Sequence, residues 1–323
     1  MTPPRILHVG QRKTGTTWMQ EIAARLAEEG ALDLVHQDLI RLFRPLPMAQ
    51  VGEGELAAMA RLLPADPPGG RQRPVLATHE GLIVVDPRRV AQAVARVWPD
   101  AQVLVTTRAP LGYLQSSFNN ASHGGRTDPP EAFAAKFTRG HMRRSHDLDG
   151  LAAAYAETFG ADRVHFLPYE LLKADPAAWL ARISDLTGAD FGRHGSLARI
   201  NASPPLAFLA MQRRLSAAVA ARDPALVDSL LWRRFMHAAN TAAGIAPDFG
   251  RWLDRRMAGT GEAAELELDL PVLPEGALAA LAARMTLLRD LPLYRDHLAL
   301  YGLEPPEPAP EPAPSVPSER PPA

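Results

Sequence analysis

The stretch from Gly10 to Trp18 has the residue types and spacing of an anion-binding loop. It reads Gly-Gln-Arg-Lys-Thr-Gly-Thr-Thr-Trp. Its glycines let the backbone wrap closely around a ligand, its threonines supply hydroxyl donors, and Lys13 supplies a compact charge on a flexible stem. Backbone amides of such a loop also converge on an anion. The stretch therefore predicts a cradle for a phosphate or a sulfate group.

The elements on either side of this loop place it where an anion is favoured. The apolar run at 6–9 predicts a buried parallel strand. Met19, Ile22 and Leu26 recur at the spacing of one helix face, which predicts a helix ending near Gly30. The loop thus joins the carboxyl end of a strand to a helix N-terminus, where unpaired amides and the helix dipole attract anions.

The loop departs from the ATP-binding P-loop and resembles a different family. The ATP motif needs a lysine directly after its second glycine, whereas Thr16 follows Gly15 here and the lysine lies inside the loop. The run Lys-Thr-Gly-Thr-Thr-Trp resembles the 5′-phosphosulfate loop of sulfotransferases, which use 3′-phosphoadenylyl sulfate (PAPS). The preceding His-Val-Gly resembles the bacterial members of that family. A glycine-containing turn with incidental polar residues is the alternative.

This resemblance implies a fold and a set of donor-binding residues. The fold is α/β with three layers, a P-loop-like arrangement in which helices flank a central, mostly parallel sheet, with a helical C-terminal half. Lys13 would neutralise charge that grows on the bridging oxygen of PAPS. Trp18 would stack on the adenine or, alternatively, pack in the core. The loop residues assigned to PAPS are Arg12, Lys13, Thr14, Gly15, Thr16, Thr17 and Trp18.

The segment Thr78-His79-Glu80-Gly81 follows an apolar run that predicts a second buried strand. Ligands of open α/β sheets bind at the carboxyl ends of the strands. In the family that the loop resembles, a His or a Glu after the corresponding strand takes the acceptor's proton, and this sequence has both, His79 and Glu80. Neighbouring side chains of an extended segment point in opposite directions, so we expect one of them to face the site. The alternative is that they cap the following turn.

Arg108 and Ser116 form the second group of candidate site residues. Arg108 follows an apolar run that predicts another strand, and Ser116 lies eight residues later. In sulfotransferases an Arg and a Ser with this spacing hold the 3′-phosphate of PAPS, and a guanidinium suits phosphate because it donates two parallel hydrogen bonds. An ATPase would place an Asp after this strand to hold Mg²⁺. The alternatives are a surface ion pair for Arg108 and an exchange of roles between Ser116 and Ser117.

Other segments carry structural expectations. The composition of residues 119–130 predicts a flexible loop. The resemblance to sulfotransferases implies that the acceptor substrate binds near this loop. The basic run at 141–146 predicts a solvated helix face, with an anionic acceptor as the alternative. Residues 205–302 predict an almost wholly helical region whose last long helix carries Leu278–Leu288. The aromatic side chains expected in its core are Trp232, Phe235 and Trp252.

Composition limits the classes of protein that the sequence fits. The chain has 323 residues, is 46% hydrophobic and has a net charge of −1, which gives no drive toward nucleic acid or anionic membranes. It has no cysteine, which excludes disulfides and thiolate zinc sites, and we expect no metal. Proline-rich sequence from residue 304 predicts a disordered tail after a single domain at 1–303.

The sequence was also searched for membrane-spanning and targeting segments. No apolar run is long enough to span a membrane. The first predicted strand begins almost at the N-terminus, which leaves no room for a signal peptide. We therefore expect a soluble cytoplasmic protein.

These features together predict a PAPS-dependent sulfotransferase. It would move a sulfuryl group by in-line transfer to a hydroxyl or amine acceptor, on a carbohydrate or a small molecule. Two alternatives remain at this point: a P-loop-type nucleotide kinase or NTPase, and a non-catalytic nucleotide-binding module on the same fold. Neither the acceptor nor the oligomeric state is indicated by a motif.

Overall fold

A five-stranded parallel sheet lies at the centre of the molecule. The structure is a computed structural model that describes residues 3–43, 48–65, 73–196, 206–229, 231–232, 234–236 and 269–305. The strands of the sheet are β1 (Arg5–Gly10), β2 (Asp33–Val35), β3 (Val75–Thr78), β4 (Gln102–Thr107) and β5 (Val164–Pro168).

The strand order is β2-β3-β1-β4-β5, so β1 lies between β3 and β4. His8 is in register with Thr78 of β3, and Gly10 is in register with Thr106 of β4. The chain leaves β1 toward one edge of the sheet and leaves β4 toward the other. Such a reversal opens a crevice at the carboxyl ends of the two strands, and ligands of open α/β sheets bind there.

Helices cover both faces of the sheet. The helices described are α1 (Thr16–Glu28), α2 (Gln37–Phe43), α3 (Glu53–Leu62), α4 (Pro87–Ala95), α5 (Pro110–His123), α6 (Pro130–Phe137), α7 (Arg143–Ser145), α8 (Leu148–Phe159), α9 (Tyr169–Ala174), α10 (Pro176–Thr187), α11 (Leu206–Ala220), α12 (Pro224–Asp228) and α13 (Ala277–Ala282). Shorter turns of 3-10 helix span Met48–Gln50, Glu80–Val84, Ala161–Arg163, Phe191–His194, Thr286–Asp290 and Pro292–Tyr301, and one π-helical turn spans Thr138–Met142.

Alternate residues of the strands pack into two hydrophobic cores, as the two faces of a pleated sheet require. Ile6, Leu76 and Leu104 pack under α1 and α10 on one face. Leu7 and Val103 belong to the core on the other face, which also takes residues of α3, α4, α8 and the C-terminal segment. The predicted three-layer α/β fold with a parallel central sheet is therefore confirmed.

Local sequence explains why the helices begin where they do. Asp86 accepts a hydrogen bond from the Arg88 amide at the start of α4, and Pro87 takes the first helical position, where no amide donor is needed. The N-terminus of α1 has no side-chain cap: Gly15 precedes it in a left-handed conformation. The first amides of α1 thus keep donors available at the loop.

Three structural expectations were wrong. The loop predicted at 119–130 is helical at residues 119–123, which form the last part of α5. Phe118 and Ser122 are buried on one side of that helix, and their packing stabilises it. The predicted long helix at 278–288 stops at Ala282 and continues as 3-10 turns, although Leu281, Met285 and Leu288 are buried as its spacing required. Phe235 is 52% exposed.

The remaining expectations concern Trp232, Trp252, the C-terminal tail and membrane-spanning segments. Trp232 is buried, as predicted. Trp252 and most of the Pro-rich tail lie outside the described residues, and the domain boundary at 303 stays a prediction. Within the described residues, no helix combines the length and the hydropathy that crossing a membrane requires.

Candidate active site

The loop between β1 and α1 takes its shape from two left-handed residues. Gly15 has φ +81°, and a Cβ there would collide with the Leu172 side chain, so both its conformation and its surroundings require glycine. Lys13 has φ +68°, an uncommon conformation for a residue with a side chain and one that clusters at functional sites. The Lys13 ammonium donates to Asn120 Oδ1 at 2.7 Å, and burial lowers its pKa.

A chain of buried hydrogen bonds supports this loop from below. His8, in the middle of the sheet, contacts Thr78 Oγ1 through Nδ1 at 2.7 Å and Thr106 Oγ1 through Nε2 at 3.1 Å. Thr106 Oγ1 lies 2.9 Å from Thr14 Oγ1, which donates to the Gln11 carbonyl at 2.7 Å. The strand residue His8 is therefore linked to the loop backbone through two threonine hydroxyls.

The direction of each bond in this chain follows from the single hydrogen that a hydroxyl carries. The Thr14 hydrogen goes to the Gln11 carbonyl, so Thr106 must donate to Thr14 and must accept from His8 Nε2–H. Burial lowers the pKa of His8 to about 3, so the ring is neutral and its Nδ1 accepts from Thr78.

The same chain orients the threonines of the loop. Thr14 is fully buried, and its hydroxyl contacts Gln11, Thr16 and Thr106, so this hydroxyl is committed to contacts within the protein. Thr16 is also buried, with its hydroxyl 3.1 Å from that of Thr14. Thr17 is exposed. Of the three predicted threonines, Thr17 thus offers the open hydroxyl.

Arg108 lies against the loop rather than in a separate pocket. It follows β4, and its Nη1 donates to the Lys13 carbonyl at 2.8 Å. Its guanidinium carbon lies 4.4 Å from the centre of the Tyr169 ring, a cation–π contact, and its backbone amide donates to Gln11 Oε1 at 2.6 Å. Burial lowers the Arg108 pKa, yet a guanidinium stays charged at any working pH. One of its N–H groups thus holds the loop.

The other residues predicted to bind PAPS are Trp18 and Ser116, with Ser117 as the alternative serine. Trp18 is 3% exposed and stacks on Trp179 in the core, with ring centres 6.4 Å apart, which favours core packing over stacking on adenine. Ser116 is half-buried on α5. Its neighbour Ser117 lines a cavity together with Arg12 and Lys13, so the structure brings the alternative serine to the loop.

His79 and Glu80 lie in different surroundings. The His79 ring packs 5.1 Å from the Phe43 ring, and burial lowers its pKa to about 4. Glu80 interacts electrostatically with Arg12 and Lys13 of the loop, although burial, the larger effect, raises its pKa. Arg12 thus affects both side chains, but Glu80 also interacts with Lys13, while His79 packs against an aromatic ring.

The basic run at 141–146 is not a solvated helix face. Arg143 and Arg144 are exposed, but Ser145 and His146 are fully buried. His141, on the π-helical turn, lies in the cavity lining and contacts Tyr113 Oη at 2.7 Å. Burial lowers the pKa of both histidines to about 4. The run therefore combines two exposed arginines with two neutral histidine rings, His141 and His146.

Several site residues carried no sequence signal. Gln11 ties the loop to the rest of the molecule, because its side chain donates to the Ser145 carbonyl at 2.8 Å and accepts from the Arg108 amide. Asn120 binds Lys13 from a helix that lies 107 positions along the chain. Amides at such separations belong to no short motif, so only the fold reveals them.

One comparison with known families covers the middle of the chain. Residues 82–193 match the model of the sulfotransferase family. This segment is similar to that family. It contains Arg108, Ser116 and Ser117, whereas the loop at 10–18 lies before it. The match supports sulfuryl transfer as the activity and does not favour a kinase or NTPase.

Two solved sulfotransferase structures also resemble the chain. A sulfotransferase from Alicyclobacillus acidocaldarius is 19% identical with a TM-score of 0.40, over 72% of this chain and 100% of that one. Mouse sulfotransferase SULT7A1, complexed with PAP, is 17% identical with a TM-score of 0.38, over 60% of this chain and 64% of that one. Among curated proteins, none matches the sequence.

Proposed function

We propose that the protein is a sulfotransferase that takes its sulfuryl group from PAPS. The observation that carries this proposal is the 2.8 Å hydrogen bond from Arg108 Nη1 to the Lys13 carbonyl. It brings a guanidinium from the end of β4 to a lysine-bearing loop at the end of β1, across the crevice where sheet ligands bind. PAPS carries two anionic ends, a 5′-phosphosulfate and a 3′-phosphate, and these two cations suit them.

The loop is the proposed site of the 5′-phosphosulfate. The open amides at the start of α1 and the Thr17 hydroxyl would donate to its oxygens. Lys13 would leave Asn120 and move to the bridging oxygen, since its ammonium sits on a flexible stem. Arg108, with Ser116 or Ser117, would hold the 3′-phosphate through parallel N–H donors.

The transfer step requires little covalent chemistry from the protein. The acceptor oxygen or nitrogen attacks sulfur, the bond from sulfur to the bridging oxygen breaks, and 3′-phosphoadenosine 5′-phosphate (PAP) leaves. Catalysis then rests on positioning and on stabilising the charge that develops on the leaving phosphate, as in phosphoryl transfer. Lys13 is the residue that we assign to that charge.

Glu80 is our candidate for the general base. A base works best when its pKa lies near the working pH, and burial raises the pKa of Glu80. Its electrostatic interactions with Arg12 and Lys13 support this assignment, since the proposed sulfuryl group would lie at those two cations. His79 stays the second candidate, since it is neutral at pH 7.

A nucleotide screen followed by a transfer assay tests the function. PAP should raise the thermal midpoint of the protein, because ligands that bind only the folded state stabilise it, and Mg²⁺-ATP should not. Labelled PAPS should then transfer its sulfuryl group to a member of a pooled panel of phenols, alcohols, amines and saccharides. Stabilisation by Mg²⁺-ATP alone would contradict the proposal, as would PAP binding without transfer to any acceptor.

A further inference from the structure

A cavity of about 470 Å³ opens beside the loop. Its volume falls in the range of small-molecule binding sites. Arg12 and Lys13 of the loop line it, so a molecule bound in it would lie next to the proposed sulfuryl group. The other lining residues are Tyr113, Ser117, Asn120, Ala121, Arg126, Asp128, Phe133, Lys136, Phe137, Gly140 and His141.

One wall of the cavity is a single helix face. Phe133, Lys136, Phe137, Gly140 and His141 recur at intervals of three and four residues along α6 and the π-helical turn that follows it. The Phe133 and Phe137 rings are stacked, with centres 5.2 Å apart and planes 18° apart. The Phe137 ring lies 5.4 Å from the His141 ring. This wall presents a row of rings that suits a flat aromatic ligand.

The charges of the lining are mostly positive. Its one carboxylate, Asp128, is bound to Arg126 at 2.9 Å. The proposed donor would occupy Arg12 and Lys13. Lys136 then remains at the exposed rim, and within the described part of the chain no carboxylate forms an ion pair with it. An acceptor with an anionic group at the end opposite its reactive hydroxyl complements this arrangement.

Building on the proposed function, we propose that this cavity binds the acceptor and that the acceptor is a small aromatic acid with a free hydroxyl. Its ring packs along Phe133 and Phe137, its carboxylate lies near Lys136, and its hydroxyl reaches the Lys13 end. The hydroxyl oxygen forms a bond to sulfur, the bond from sulfur to the phosphate oxygen breaks, and the hydroxyl proton passes to Glu80. Glu80 interacts with Arg12, Lys13 and Tyr113, which all line the cavity.

Gly140 offers a steric probe of this assignment. A Cβ built at Gly140 would meet no atom within 4 Å, although the residue lines the cavity. A leucine at this position therefore has room for its Cβ, and we expect its side chain to project into the cavity. Because glycine disfavours helix relative to leucine, the substitution should not lower the stability of the fold.

The experiment measures acceptor binding by calorimetry with PAP present and again without nucleotide. The ligands are 4-hydroxyphenylacetate, the neutral alcohol 4-hydroxyphenylethanol and the cation tyramine, which share a phenol ring. The acid should bind about threefold to fivefold more tightly than the alcohol, the scale of an exposed ion pair, and tyramine should bind most weakly. Gly140→Leu should abolish binding of all three while PAP binding stays unchanged.

Variants that change the charge of Lys136 separate the effect of ligand charge on binding from the effect of ligand shape. Lys136→Met should remove the preference for the acid, and Lys136→Glu should reverse it toward tyramine. Lys173→Met is the matched control, since Lys173 is an exposed lysine on α9 that does not line the cavity. It should leave all three affinities unchanged.

Three results would overturn the acceptor assignment. They are equal affinity for the three phenols, unchanged binding in Gly140→Leu, and tighter binding of glucuronate, a saccharide acid, than of 4-hydroxyphenylacetate. A protein that binds the phenolic acid but neither binds PAP nor uses PAPS would contradict the proposed function alone. The titration without nucleotide keeps these two failures apart.

Discussion

Lys13 is the residue whose conformation and contacts set it apart. Its left-handed backbone presents the carbonyl to Arg108, while its ammonium lies against Asn120 on another helix. Asn120 therefore holds the charge in place without neutralising it, because an amide oxygen carries no net charge. We interpret this as a resting position from which the ammonium can move to the donor.

Removing the Lys13 ammonium should impair turnover more than folding. Lys13→Ala should lower kcat by roughly 10²–10³, the scale for losing one preorganised charge-stabilising donor. Steady-state kinetics with PAPS and the best panel acceptor provide the measurement, and Lys173→Ala serves as the control for loss of a lysine. A variant that retains full kcat would exclude Lys13 from the chemical step.

Glu80 and His79 can be separated by the dependence of rate on pH. A base must be deprotonated, so kcat/KM should fall as pH drops through the Glu80 pKa, which burial raises above its usual value. Glu80→Gln should lower kcat by roughly 10²–10⁴ and remove that acidic limb. His79→Gln should keep the limb. The opposite pattern, in which His79→Gln removes it, would assign the base to His79.

At the scale of elements, β1, β3 and β4 do more than build the sheet. The hydrogen-bond chain from Gln20 through Thr78, His8, Thr106 and Thr14 crosses all three strands and ends at the loop. Every hydroxyl in it has one defined donor direction, because the Thr14 hydrogen is committed to the Gln11 carbonyl. Gly10 fits beside this chain of hydrogen bonds because it has no Cβ, and a Cβ at this position would collide with the Thr106 hydroxyl.

Breaking this chain at Thr106 should loosen the loop. Thr106→Val leaves the His8 Nε2–H buried without an acceptor, which should lower the free energy of unfolding by about 1–3 kcal/mol. It should also weaken PAP binding, while Thr106→Ser, which keeps the hydroxyl, should preserve both. Denaturant unfolding and calorimetry measure the two effects.

The tautomer of His8 gives an independent spectroscopic check on the chain. Ring nitrogen chemical shifts should identify the neutral Nε2–H form in the native protein, with no titration between pH 5 and pH 8, since burial lowers the pKa of His8 to about 3. Thr106→Ser should keep this signature. A protonated ring, or the Nδ1–H form, would contradict the direction assigned to the hydrogen bonds.

At the scale of the whole molecule, the sheet order explains what the sequence could predict. Three strand ends that carry Lys13, Glu80 and Arg108 become neighbours because β1 lies between β3 and β4. Apolar runs followed by polar residues indicated each strand end, so these residues and the three-layer fold were accessible from the sequence. Their proximity follows from parallel strands sharing one edge.

Other features were inaccessible for physical reasons. The Lys13 contact with Asn120 and the hydrogen bonds that link Gln11 to Ser145 and Arg108 join residues far apart in sequence, and no periodicity encodes them. The sequence also predicted a solvated helix face at 141–146. A sequence shows which residues are charged, but it does not show which side of a helical turn packs against the rest of the protein. For Trp18 the sequence left open adenine stacking and core packing, because its neighbour Trp179 lies far away along the chain.

The most direct test of the account compares nucleotides that differ only in the 3′-phosphate. The dissociation constants of PAP and AMP are measured by calorimetry for the unaltered protein, for Arg108→Lys and for Arg108→Ala. We predict that Arg108→Ala weakens PAP binding by roughly 10-fold to 100-fold, the scale of hydrogen bonds to a charged group, with a much smaller effect on AMP, and that Arg108→Lys is intermediate. Equal losses for PAP and AMP would show that Arg108 only braces the loop, and would contradict a donor held at both of its anionic ends.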